Sequence, residues 1–265
     1  MPSFHEFARG LRQLGIEPRC PVIAHASLSA FGQVTGGSET VLGALLASFN
    51  TVIMPTFTYA TMITPEAGPP GNGLTYGTGK DTNRMAEFFT PDMPVDPTMG
   101  VIAEALRRHP KASRSTHPIL SFAGVNAASI LQTQTVDQPL QPIRELLSAD
   151  GWVLLLGVDH SANTSIHYGE LVAGRKQFVR WALTPDGIVE CPGWSGCSDG
   201  FPALAPRLEP LKRSVQVGSG LIQAFPLREL VDTVVQVIHK DPRALLCSRP
   251  DCGRCNAVRA AASSA

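Results

Sequence analysis

The sequence predicts an α/β fold in which a mixed central sheet is flanked by helices and accompanied by a smaller subdomain that contains β-strands. Short apolar runs rich in β-branched residues alternate with segments of helical period, which is typical of strands covered by helices. With 265 residues and 43% hydrophobic content, the chain can also bury a large core. We therefore expect one domain over residues 1–265.

The elements follow one another along the chain. Residues 4–14 mix Phe and Leu with charged side chains at helical spacing, and residues 39–49, 99–109 and 164–172 continue that pattern. The predicted strands are the apolar runs at 21–25, 51–55, 119–123 and 152–158.

The last third of the chain predicts a smaller unit and a loose end. Residues 178–184 and 188–191 flank Asp186-Gly187, which is typical of a hairpin turn. We place this hairpin in a subdomain that covers roughly residues 175–220. After about residue 258 the small side chains indicate a disordered tail.

Composition excludes several classes of function. The formal net charge is +0, from 22 basic and 22 acidic residues, so no overall field attracts nucleic acid or an anionic membrane. No apolar run reaches the length of a membrane span, and the six cysteines do not form a secreted disulfide pattern. We expect a cytoplasmic protein with a small-molecule partner, and a homodimer remains open.

Two segments follow predicted strands and carry polar groups. The turn at residues 25–40 combines Ser, Gly and Thr before a helix, which suits phosphate oxygens, although an ordinary capped turn has the same composition. The second segment contains Asn163, His167 and Glu170. With Asn163 as N-cap, His167 falls near a helix start that disfavours imidazolium, and Glu170 lies on the same face. A locally bonded His is the alternative.

Three further segments admit a functional or a structural interpretation. Arg114 stands in a Ser-Thr-His loop and suits an anion, although a solvated loop is the alternative. Cys197, between Gly and Ser, admits a nucleophile role with His167, or the role of a small buried hydrophobe. The cysteines of residues 247–255 resemble half of a zinc knuckle that His239 could complete, but they fall short of a four-ligand pattern, so we assign no metal site.

The order and wording of these segments resemble the aminoglycoside 3-N-acetyltransferase family, also called the antibiotic N-acetyltransferases. The resemblance covers most of the chain. It rests on residues 25–32, 36–37, 54–58, 96–100, 114–118, 121–122, 154–157, 163–170 and 196–198.

The resemblance implies an α/β enzyme that transfers acetyl from acetyl-CoA directly to an antibiotic amine. It implies His167 as catalytic base and Glu170 as its supporting acid. It also implies that acetyl-CoA is held by the turn of Ser27, Leu28 and Ser29. Two further residues, Thr56 and Arg114, would help to bind it.

An amine that is mostly protonated near neutral pH needs a base before it attacks a thioester. A polycationic aminoglycoside needs an acidic lining in a protein of zero net charge, for which Asp159, Glu170 and Asp199 are candidates. Acetylation of a different amine, a thiol amidase that uses Cys197 with His167, and a zinc-stabilised interaction module remain as alternatives.

Overall fold

The fold was obtained as a computed structural model that describes residues 1–263. Its strands in chain order are β1 (Val22–Ala26), β2 (Val52–Pro55), β3 (Met62–Ile63), β4 (Ala112–Arg114), β5 (Phe122–Val125), β6 (Trp152–Leu156), β7 (Phe178–Thr184), β8 (Gly187–Trp194), β9 (Arg213–Val217) and β10 (Gly220–Pro226). Its helices are α1 (Phe4–Gln13), α2 (Gly37–Ser48), α3 (Val101–Arg108), α4 (Ala128–Leu131), α5 (Gln141–Ser148), α6 (Thr164–Val172), α7 (Ala205–Leu208), α8 (Leu227–Lys240) and α9 (Gly253–Ala262).

Seven strands form a mixed central sheet in the order β4-β5-β2-β1-β6-β10-β9. The three middle strands, β2, β1 and β6, run parallel, and the outer strands are antiparallel to their neighbours. Parallel strands need crossover connections, which here carry helices. The predicted α/β class with a mixed sheet is confirmed.

Helices cover both faces of this sheet because its middle strands are apolar on both sides. Successive side chains of a strand point to opposite faces. In β6, Leu154 and Leu156 join a core cluster with α1, α2 and α3, whereas Val153 and Leu155 join a second cluster with α5, α6 and α8. Continuous burial of this kind explains the unbroken apolar runs of the sequence.

A second sheet of three antiparallel strands has the order β3-β7-β8. It contains the predicted hairpin, whose strands β7 and β8 pair up to Thr184 and Gly187. The predicted subdomain of residues 175–220 extends too far, because β9 and the start of β10 belong to the central sheet. There β10 buries Ile222, Ala224 and Phe225 beside β6.

The predicted disorder after residue 258 is wrong for the residues that the structure describes. Helix α9 continues to Ala262, and its Cys255 and Val258 are buried three positions apart on one face. The last two positions, 264 and 265, lie outside the described residues. Among residues 1–263, no helix has the length and apolar character needed to cross a membrane.

Candidate active site

Two cavities open at the carboxyl ends of the parallel strands, where α/β sheets usually bind ligands. The first has a volume of about 310 Å³ and the second about 350 Å³. Five residues line both cavities, and His167 is one of them. The shared residues are Phe57, Tyr59, Thr164, His167 and Ser198.

His167 is held by a chain of charged groups. Its Nδ1 lies 2.7 Å from Oε2 of Glu170, and Oε1 of Glu170 accepts a hydrogen bond of 2.7 Å from Arg175. Glu170 and Arg175 are buried, whereas the His167 side chain keeps 15% of its surface exposed. With Nδ1 donating to a carboxylate, Nε2 carries the free lone pair of the neutral ring.

Local structure places this triad. Asn163 is the N-cap of α6 as predicted, and its side-chain oxygen accepts a bond of 3.1 Å from the amide of Ser165. His167 and Glu170 then fall three positions apart on the helix, where side chains meet. The ring of Phe201 packs edge-on against His167 at 4.7 Å between centroids. This packing restricts the imidazole to one orientation.

Arg175 ends the triad and anchors it to another part of the chain. It follows α6, and its second terminal nitrogen donates to the carbonyl oxygens of Pro242 and Ala244. A buried carboxylate needs a compensating charge, which Arg175 supplies to Glu170. The sequence analysis missed Arg175, because no local pattern links it to Glu170 five positions earlier.

The second cavity adjoins the predicted cofactor turn. Ser27 follows β1, and its hydroxyl lies 3.0 Å from that of Ser29, on a short 3₁₀ turn that begins at Leu28. The cavity is lined by His25 and Ala26, which directly precede this turn. Burial lowers the pKa of His25 to about 3, so the ring is neutral, and its Nε2 has no hydrogen-bond partner among the described residues.

The structure revises the roles expected of Thr56 and Arg114. Thr56 has no exposed surface, and its hydroxyl bonds to Ser121, so it cannot contact a cofactor directly. The guanidinium of Arg114 donates to Ser121 and to the carbonyl oxygens of Pro91, Met93 and Thr56. Its donors therefore hold the long loop after β3 against β2 instead of facing an anion.

The first cavity combines aromatic and charged groups. Tyr59 packs edge-on against Trp194 at 5.8 Å between ring centroids. Burial raises the pKa of Tyr59 to about 12, so its hydroxyl stays protonated. Asp199 and Arg254 also line this cavity. Both aromatic residues and Arg254 were missed, because their convergence depends on three distant segments of the chain.

The two acids predicted to bind substrate do not lie together. Asp199 lines the first cavity and forms an ion pair of 3.0 Å with Arg249. Asp159 is exposed and caps a short 3₁₀ turn, where its carboxylate accepts bonds from the amide and hydroxyl of Ser161. Because Ser161 lines the second cavity, Asp159 lies on that side of the site.

The three cysteines of residues 247–255 lie beside Cys197 and not beside His239. Cys197 is buried with Cys247, Cys252 and Cys255, and His239 is exposed near the end of α8. Burial raises the pKa of the Cys197 thiol to about 11. Both facts disfavour a nucleophile, so the thiol amidase alternative loses its basis.

The sequence is similar to those of known aminoglycoside acetyltransferases. The aminoglycoside N(3)-acetyltransferase VII of Streptomyces paromomycinus is 36% identical over 185 residues, which cover 65% of this chain and 62% of that relative. The chain thus matches less than two thirds of that relative's length.

Solved structures match over nearly the whole chain. A structure of the aminoglycoside acetyltransferase AAC(3)-IVa in complex with a gentamicin has a TM-score of 0.77 at 26% identity, and covers 97% of this chain and 96% of that one. A binary complex of AAC-IIIb with CoASH has a TM-score of 0.73 at 20% identity, with 90% and 96% covered, and shows the shared fold.

A family model described as aminoglycoside 3-N-acetyltransferase matches residues 23–239. That range contains the central sheet up to β10, both cavities' strand ends and the triad of His167, Glu170 and Arg175. The chain therefore belongs to the aminoglycoside 3-N-acetyltransferase family.

Proposed function

We propose that the chain transfers an acetyl group from acetyl-CoA to an amine of an aminoglycoside, at the 3-N position, with His167 as general base. The observation that carries this proposal is the place of His167 at the junction of two cavities. A direct transfer needs a donor and an acceptor that meet beside one base. The family membership and the gentamicin complex of a relative support this acceptor class.

In this proposal the acceptor ammonium first releases one proton to solvent, and Nε2 of His167 then takes a second proton from the same nitrogen as it attacks. The nitrogen lone pair forms a bond to the thioester carbonyl carbon, and the carbon–sulfur bond breaks. The sulfur leaves as a thiolate, which can take the proton back from His167. General base catalysis of this type contributes roughly 100-fold to 10,000-fold to the rate.

Glu170 orients the ring and holds the proton on Nδ1, as the hydrogen bond of 2.7 Å supports. Arg175 donates a bond of 2.7 Å to Glu170 and supplies the counter-ion of this buried carboxylate. Thr164 lines both cavities and precedes His167 by one helical turn. We infer that its hydroxyl or amide donates to the developing oxyanion, a role that favours donors near a helix start.

The donor is assigned to the second cavity. His25 offers a buried nitrogen without a partner among the described residues, and a ligand would satisfy it. Ser27, Leu28 and Ser29 directly follow the lining residues His25 and Ala26 in the chain and reach the surface at Ser29, where the polar end of coenzyme A would lie. The CoASH complex of a protein with this fold supports acetyl-CoA as the donor.

A second candidate function is acetylation of an amine that is not an aminoglycoside. Among the described residues that line the first cavity, Asp199 is the only acid, and Arg254 faces the same space. Arg249 further offsets the charge of Asp199. A wall of this kind suits a polycation less well than an amine with one positive charge and an apolar body.

The test is thiol release from acetyl-CoA with gentamicin and other aminoglycosides, for the parent chain, His167→Ala and the exposed control His5→Ala. Release that depends on the aminoglycoside and falls at least about 100-fold only in His167→Ala supports the proposal. Equal rates in the parent chain and His167→Ala would show that His167 is not the general base. Release with simple amines alone would favour the second candidate.

A further inference from the structure

The six cysteines of the chain are unevenly placed in the fold. Four of them converge on one buried point, although Cys197 is separated from Cys247 by 50 positions (247 − 197). Their Sγ atoms all lie within 4.8 Å of one another. Cys20 and Cys191 lie outside this group, which is called here the cysteine cluster and consists of Cys197, Cys247, Cys252 and Cys255.

The distances fit a tetrahedral metal site. Zinc binds thiolates at about 2.3 Å, so the sulfur atoms of a tetrahedral site lie about 3.8 Å apart. Four cysteines within 4.8 Å need only a small inward movement of their side chains to reach that geometry. Four protein ligands close the coordination sphere, which is typical of structural zinc and not of catalytic zinc.

The surroundings of the cluster also fit a charged centre. A zinc ion with four thiolates carries a charge of −2, because four negative charges meet two positive ones. Arg249 lies 3.9 Å from Sγ of Cys197, and Arg259 donates to the carbonyl oxygen of Cys247. Neutral thiols packed as small hydrophobes would gain little from a guanidinium group so close to one of the sulfur atoms.

The start of helix α9 supports the same conclusion. Cys252 is the N-cap of this helix, and Cys255 lies in its first turn. The positive end of a helix stabilises negative charge, which thiolate ligands of zinc carry.

We propose that Cys197, Cys247, Cys252 and Cys255 bind one structural Zn²⁺ ion that fastens the C-terminal helix to the wall of the first cavity. Binding releases the thiol protons as the four sulfur–zinc bonds form. Gly196 and Ser198, which flank Cys197, line the first cavity, and Arg254 lies between two other ligands of the cluster. Arg254 also donates to the carbonyl oxygen of Gly196 at 3.1 Å.

This site differs from the half zinc knuckle considered in the sequence analysis, because Cys197 takes the place of His239 as the fourth ligand. The effect of zinc on the binding of an acceptor amine rests on the proposed function, because that amine would bind in the cavity lined by Asp199 and Arg254. The presence of zinc in the chain does not rest on the proposed function. A chain that contains zinc but transfers no acetyl group would overturn the proposed function and leave the metal site intact.

The experiment is zinc analysis of the full chain, purified without a metal-affinity resin or a chelator. Parent and the matched control Cys20→Ser should contain about one zinc ion per chain, and Cys252→Ser and Cys255→Ser should contain almost none. Melting temperatures are measured in parallel. A mercurial reagent that blocks thiols should release zinc from the parent and from Cys20→Ser, and should lower the melting temperature of both.

Cobalt exchange keeps the test valid if Cys252→Ser and Cys255→Ser do not fold. Parent protein refolded with Co²⁺ should show the strong visible absorption of a tetrahedral cobalt site with thiolate ligands. Parent protein without zinc, with four alkylatable thiols or two disulfides found by mass spectrometry in this cluster, would overturn the proposal. Full zinc content in Cys252→Ser and Cys255→Ser would overturn it as well.

Discussion

Nδ1 of His167 lies 2.7 Å from Oε2 of Glu170, and both side chains come from one face of helix α6. This contact links the only group assigned to proton transfer with a carboxylate that is 1% exposed. A buried carboxylate on one ring nitrogen fixes the tautomer and leaves the other nitrogen to act as base.

Glu170→Gln should therefore lower kcat by roughly 10-fold to 100-fold and leave the KM for both substrates within a few-fold, because the amide keeps the shape and loses the charge. Steady-state kinetics with acetyl-CoA and an accepted amine measure both values. Glu145→Gln on α5 serves as the control for removal of a carboxylate. A kcat that does not change would show that His167 works without this partner.

Arg175 should matter more to stability than an exposed arginine does. Arg175→Met leaves the carboxylate of Glu170 buried without its counter-ion, and we expect a loss of about 3 to 5 kcal/mol in the free energy of unfolding. Arg228→Met, which breaks an ion pair with exposed Asp150, should cost less than about 1 kcal/mol. Urea unfolding compares the two, and equal losses would contradict the importance of the buried pair.

Local sequence patterns predicted the part of the candidate site that lies on a single element, helix α6. Asn163, His167 and Glu170 occupy one helix start, so spacing alone predicts that the last two meet. Arg175 follows the same helix, but its anchoring carbonyl oxygens at Pro242 and Ala244 come from the other end of the chain. No periodicity encodes such a contact.

The structure does not support the expected contact of Arg114 with the cofactor, and again the reason is a contact between segments that are distant in the sequence. An arginine among hydroxyl residues suits an anion, yet its donors are used by carbonyl oxygens of a loop more than twenty positions away. Likewise, apolar periodicity placed β1, β2 and β6 and the helices α1, α2, α3 and α6. The assignment of β9 to the central sheet instead of the predicted subdomain depends on the pairing of β9 with β10 and of β10 with β6. Pairing is a long-range property.

Asp199 and Asp159 should separate in kinetics, because they lie beside different cavities. Asp199→Asn should raise the KM of a cationic acceptor by about 3-fold to 10-fold, since its carboxylate is half exposed and already pairs with Arg249. Asp159→Asn should leave the KM of the acceptor unchanged. A larger effect for Asp159→Asn would move the acceptor to the second cavity.

His25 should report on the donor. His25 lines the second cavity and its buried Nε2 has no partner among the described residues, so His25→Leu should raise the KM for acetyl-CoA by about 5-fold to 50-fold, the value of one buried hydrogen bond. The KM for the acceptor amine should stay the same. Calorimetric binding of CoASH, which needs no acceptor, checks the assignment independently, and unchanged affinity would refute it.

Two buried histidines should weaken the fold in mild acid. Burial lowers the pKa of His25 to about 3 and that of His117 to about 4, against 6.5 for an exposed ring. Nδ1 of His117 also accepts the amides of Ile119 and Leu120, which requires an unprotonated nitrogen. Below pH 6.5 the unfolded chain takes up these protons and the folded chain does not, so stability falls as the pH falls toward the folded pKa values.

Between about pH 7.5 and about pH 5.5 each of these rings should cost about 1.4 kcal/mol of unfolding free energy. His117→Asn should remove that share, because the side-chain oxygen of asparagine can accept the same amides without titrating. Exposed His5→Asn should change nothing. Urea unfolding of the three proteins at both pH values tests this, and parallel losses in all three would assign the acid sensitivity to other groups.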